Sequence, residues 1–177
     1  MKHNITSKSF SPAFRFLNKL LLFRIVVFLM ATAVLPSRGL AVEGNTAALN
    51  MVEKMGLGAN LNFISYETIL HTQTYLIIAD TLGSEKSQLL IKEELRKAIP
   101  KYQSQWNKNL ASCYAEVFTS EELEALSEKH TALSYANKLV KYQDQIGESM
   151  RAKSTHLMQS LVADVLSTTF SKIAPEK

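Results

Sequence analysis

Cysteine is nearly absent: Cys113 stands alone, so no internal disulfide can form. A domain of this length does not need one, since disulfides matter most where the apolar core is much smaller. No cysteine follows the apolar run near the N-terminus, which excludes a lipid-modified N-terminal cysteine. Glycine and proline are also sparse, with six and four residues, and no low-complexity tract, internal repeat or second domain is visible. Gly56 and Gly58 lie close together, but a phosphate-binding loop needs a preceding strand and further glycines or a Lys-Ser/Thr pair. None of these is present. The chain lacks any uninterrupted apolar run of the roughly 20 residues that span a bilayer. The longest candidate, Ile25 to Pro36, has 12 residues and is preceded by Arg24.

That run does have a meaning. Lys2, Lys8, Arg15, Lys19 and Arg24 precede it, and Ser37-Arg38-Gly39-Leu40-Ala41 follows with small residues at the third and first positions before a cut. A basic stretch, an apolar stretch and a small-residue site make a secretory signal peptide. Residues 1–41 are therefore expected to be cleaved after Ala41, leaving a periplasmic or secreted domain of residues 42–177. An uncleaved N-terminus would instead give a signal-anchored inner-membrane protein.

Removing the leader changes the charge. Residues 1–41 hold six of the 20 lysines and arginines and no acid, so 14 remain against 16 Asp and Glu, a net of −2. The basic isoelectric point belongs to the leader, and a nucleic-acid function argued from it would fail, since phosphate binding needs a basic surface on the domain itself.

The segment around which the domain is organised is Trp106 to Leu126. Ile99, Tyr102, Trp106, Leu110, Cys113, Tyr114 and Val117 recur at steps of 3, 4, 4, 3, 1 and 3, one face of a helix running to Phe118. Thr119-Ser120-Glu121-Glu122 then has the form of a capping box, with Glu121, Glu122 and Glu124 at the positive end of the next helix dipole. Leu123 and Leu126 continue the apolar stripe.

Upstream, Thr46 to Met55 reads as a short helix that Gly56 ends as a C-cap. Leu61 to Asp80 is the most apolar part of the domain and reads as one buried helix, ended at Leu82-Gly83. Ser84 opens a helix to about Ala98, with Ile91 (or Leu90), Leu95 and Ala98 inward and Lys86, Lys92-Glu93-Glu94 and Arg96-Lys97 outward. Pro100 marks a kink or boundary at Ile99. Downstream, Ser127 to Thr131 reads as a corner. Tyr135 to Ile173 is largely helical, with Leu139, Ile146, Met150, Leu157, Leu161, Val165 and Phe170 on one stripe and a possible split near Gly147. Residues Ala174 to Lys177 read as a frayed end. Short connections throughout predict an all-α, single-domain antiparallel bundle of about five or six helices.

Trp106, Leu110, Tyr114, Val117-Phe118-Thr119, Glu121-Glu122-Leu123 and Leu126 resemble the core signature of a bacterial envelope family, domain of unknown function two-zero-five-nine. Residues 100 to 127 carry the likeness. The Phe-Tyr, Ser-Pro and Gly that usually follow in that family are missing from Glu128 to Ala136, which has no proline and no glycine. The resemblance implies an exported all-helical domain and implies no chemistry.

Candidates for chemistry are few. His71, His130 and His156 are far apart and in no metal-ligand spacing. Glu67 and His71, four apart, could place two zinc ligands on one helix face, or form a plain helical pair. Cys113 would need a neighbouring base to act as a nucleophile, and its place on the apolar stripe favours an inert buried thiol. The acids Glu116, Glu121, Glu122, Glu124 and Glu128 could be offered for hydrolysis, but paired catalytic carboxylates need a desolvated member, and capping acids are solvated. The serines lack any elbow sequence. No cofactor is expected.

Tyr102, Trp106, Tyr114 and Phe118 are the candidate residues of a partner groove between their helix and the C-terminal helices, with Tyr135 and Tyr142 nearby; the same spacing also fits a core role. The expected function is binding of a protein or envelope partner. The alternative is a hydrolytic or metal-dependent envelope enzyme using His71, Glu67 or the acidic corner.

Overall fold

The computed structural model describes residues 41–128 and 135–173. Six α-helices fill them: α1 (Ala41–Lys54), α2 (Leu61–Leu70), α3 (Gln73–Leu82), α4 (Ser84–Ala115), α5 (Ser120–Ser127) and α6 (Ala136–Ile173), with a 3-10 turn at Leu57–Asn60. The fold is all-α, a helical bundle.

Helix α4 is the spine, packing against α1, α2, α3, α5 and α6. Its inward face carries Ile91, Leu95, Tyr102, Trp106, Leu110 and Cys113, all buried. Pro100 lies inside this helix, so of the kink or boundary expected at Ile99 the boundary does not exist. A proline costs a helix one N–H and crowds the carbonyl four residues back. Here Pro100 and Arg96 both face solvent, where water can satisfy the orphaned carbonyl. The helix ends at Ala115, just short of the expected Phe118, and a turn with Phe118 N–H donating to Tyr114 O at 2.9 Å completes the corner.

Helix α1 starts at Ala41, earlier than Thr46, and places Ala48, Met51 and Val52 in the core. Gly56 ends it in the left-handed region (φ 64°), a conformation glycine adopts without a Cβ clash. Gly58 matters for a different reason. A Cβ there would sit 1.9 Å from Asn107 Oδ1, because Gln103 Nε2 donates both to Gly58 O (2.9 Å) and to Asn107 Oδ1 (2.8 Å). The two close glycines serve a turn and a tight approach to α4.

The expected single helix from Leu61 to Asp80 is two. Thr72, extended at φ −89° and ψ 149°, caps α3 by accepting from Tyr75 N–H at 3.1 Å, and its hydroxyl donates to Ile69 O at 2.8 Å. The capping threonine was the turn signal that apolarity obscured.

Helix α6 is continuous through Gly147, so no split occurs there. Its core face is Ile146, Met150, Ser154, Leu161, Val165 and Thr169. Phe170, expected inward, is 46% exposed. Five residues beyond Val165 is about 140° around a helix, while Thr169 at four residues is only about 40° away. Thr169 takes the inward place. The corner expected at Ser127 to Thr131 and the frayed end at Ala174 to Lys177 fall largely or wholly outside the described residues.

Polar rungs clamp α6 antiparallel along α4. Lys172 Nζ donates to Glu94 Oε1 (2.6 Å), Lys101 Nζ to Asp164 Oδ2 (2.7 Å), Asn109 Nδ2 to Ser154 Oγ (3.0 Å), and Ser149 Oγ to Glu116 Oε2 (2.7 Å). As the partner on α4 and its C-cap advances by seven or eight residues, the α6 partner recedes by eight, ten and then five, the opposed direction expected of antiparallel helices meeting along one seam. Glu94 was expected outward and is buried, 5% exposed, held by Lys172 and by Lys97 Nζ at 3.0 Å.

Candidate functional site

The aromatic corner is filled. Trp106 is 4% exposed, and its Nε1–H donates to Asn60 Oδ1 at 3.0 Å. Tyr102 is buried and its hydroxyl donates to Asp164, which also holds Lys101. Burial pushes the Tyr102 phenol above its ordinary value, while Lys101 and then Tyr102 hold Asp164 below its own. Phe118 is buried beneath Lys138, whose Nζ lies 4.9 Å from the ring centroid, and its ring lies 6.3 Å from that of half-buried Tyr114. Desolvation raises the Tyr114 phenol to about 12. The structure brings the four expected groove residues into the interior wall of α4 and its corner. Each has packing or a hydrogen-bond partner that explains it without an outside ligand. Tyr135, just before α6, and Tyr142 on α6 are half-buried.

The acidic residues are dispersed. The capping box at Thr119 forms as expected, with Glu122 N–H to Thr119 Oγ1 at 3.3 Å and Thr119 N–H to Glu122 Oε2 at 2.9 Å. Lys138 also donates to Glu122 Oε2 at 2.6 Å and is the largest cause holding that carboxyl below its ordinary value. Glu116 pairs with Lys153 at 2.9 Å, and Glu128 with Lys54 at 2.5 Å. These are bracing contacts to different helices; a desolvated carboxylic acid would show the opposite shift from that of Glu122.

Cys113 is fully buried, and desolvation raises its thiol above the ordinary value, which disfavours the nucleophilic thiolate. His71 Nδ1 lies 2.7 Å from Glu67 O, so the ring donates to the backbone of α2 rather than joining the Glu67 carboxylate. Among the described residues no three His, Cys, Asp or Glu side chains are grouped to hold a metal ion.

What stands out lies elsewhere, on α3. A helix apolar on all sides belongs in an interior or a membrane, and Leu61 to Asp80 was expected to be buried for that reason. Tyr75 and Ile78 do face inward, and Ser87 Oγ, donating to Ile78 O (3.2 Å) and Gly83 O (2.8 Å), ties α3 to the start of α4. With rotation fixed by the Thr72 cap and this tie, the opposite side shows Gln73, Leu76, Ile77, Asp80 and Thr81 to solvent. Leu76 and Ile77 are 57% and 55% exposed, and Phe63 on α2 and Leu89 on α4 are exposed as well. No helix among the described residues is long and apolar enough to cross a membrane. Sequence reasoning missed this face because apolarity alone does not say how many sides of a helix find partners.

Compared with protein-family models, curated proteins and solved structures, the chain matches none. The likeness around Trp106 to Leu126 therefore stands on those residues alone.

Proposed function

We propose that this chain is an exported helical interaction protein of the bacterial envelope, and that it binds a protein partner through the outer face of α3. The observation that carries the reading is the pair Leu76 and Ile77, adjacent, bulky and each more than half exposed on a helix whose other side is already packed. Covering a leucine or isoleucine stabilises by about 1.5–3 kcal/mol when burial is complete. Two such side chains, with Gln73 to one side and Asp80 and Thr81 to the other, form the centre of a docking surface. The aromatic corner serves the reading indirectly, by making α4 a rigid support.

Site-specific photocrosslinking in intact cells tests it. A photoreactive residue in place of Ile77 is expected to give a discrete adduct that is absent when the probe replaces Gln159, exposed on α6, and that is lost in Leu76→Asp. The same adducts at both positions, or none at Ile77, would overturn the proposal.

A further inference from the structure

The chemistry of that partner can be read from the charges around the same face, and this inference rests on α3 being the docking surface. Between Lys54 and Lys86 the chain has no lysine and no arginine, while Glu67, Asp80 and Glu85 fall within the interval. All of α2 and α3 is thus free of Lys and Arg. The next lysines along the chain belong to α4: Lys86 in its first turn, and Lys92, which lies over the Tyr66 ring at 5.2 Å; α6, which also packs against α3, has its Lys172 engaged with Glu94. Asp80 is exposed one turn beyond Leu76 and Ile77 on the outer side of α3, and Glu85 is exposed just past the Gly83 corner. Gln73, Leu76-Ile77 and Asp80-Thr81 repeat every three to four residues, the spacing of a seam that another helix can follow. An apolar pair bordered by one carboxylate, Asp80, on a helix with no Lys or Arg complements an apolar face that carries an ammonium or guanidinium group, and it is disfavoured at an anionic lipid surface. We infer that the outer face of α3 takes a cationic amphipathic helix of a partner protein, two to three turns long to match this ten-residue element.

Two synthetic helical peptides sharing one apolar face, one flanked by lysines and the other by glutamates, test this by fluorescence anisotropy with the full-length chain. The lysine peptide is expected to bind about tenfold more tightly at low salt, with the preference shrinking as salt rises. Asp80→Lys should remove the preference, and Leu76→Ser with Ile77→Ser should abolish binding of both peptides while far-UV circular dichroism stays unchanged. Equal binding of the two peptides would overturn the cationic partner and leave the docking face standing. Binding that survives the double serine variant, or no binding by either peptide, would overturn both. Preferential binding to phosphatidylglycerol vesicles would overturn the protein partner in favour of a lipid one.

Discussion

Thr169 shows how one side chain can be in the right place with the wrong chemistry. It is fully buried on the α6 core face, and its hydroxyl has no hydrogen-bond partner among the described residues. An unmade hydrogen bond in the interior costs about 1–3 kcal/mol. Thr169→Val keeps the shape and removes the unpaired oxygen, so it is expected to stabilise the protein by about 1 kcal/mol in urea denaturation. A neutral or destabilising result would mean that the hydroxyl is satisfied. Glu94 is the contrasting case, a buried carboxylate with two lysine partners, three residues after the inward Ile91. Reading it as outward followed from its charge, and the Lys172 partner 78 residues away could not be seen in the local pattern.

At the scale of the element, caps and stripes were read well where local chemistry decides. The Thr119 capping box and the buried Leu123 and Leu126 follow from a few adjacent residues. Of the kink or boundary expected at Pro100, the boundary failed because a local rule met a tertiary override: α4 is packed by five other helices and stays continuous through the proline. Pro100→Ala returns an N–H to the Arg96 carbonyl and removes a steric conflict worth up to about 3 kcal/mol in a helix interior. Part of that gain is offset by about 0.4–1 kcal/mol from a freer unfolded chain. The expected result is a higher Tm by several degrees, measured by circular dichroism. A lower Tm would show that a bend at Pro100 is needed for packing along α6.

For the whole molecule, the clamp between α4 and α6 and the brace on α5 depend on carboxylates. Lys172 holds Glu94, Lys138 holds Glu122 and Lys101 holds Asp164 below their ordinary values of 4.5, 4.5 and 3.8. A lowered carboxyl contributes stability that is present above its unfolded-state value and lost as pH falls through the folded-state value. Stability is therefore expected to be level from neutral pH to about 5 and to fall below about 4.5, with Glu94→Gln flattening part of the fall. Asp164 and Glu122 are partly solvated, so screening limits their share. Urea midpoints from pH 3 to 7 check this; an unchanged midpoint at pH 3 would refute it.

The sequence by itself determined the helical class, most of the stripes of α4 and α6 (all but Glu94 and Phe170), the Thr119 corner and the burial of Cys113. These depend on periodicity and on contacts within a few residues, which the order of side chains already contains. Only the tertiary structure showed that Trp106 donates to Asn60 and Tyr102 to Asp164. It alone decided that Glu94 is buried, and that the most apolar segment keeps one side of α3 uncovered. The physical reason is the same in each case. A stripe states that a face must be covered, while distant chain segments determine which faces receive a cover and which are left to solvent.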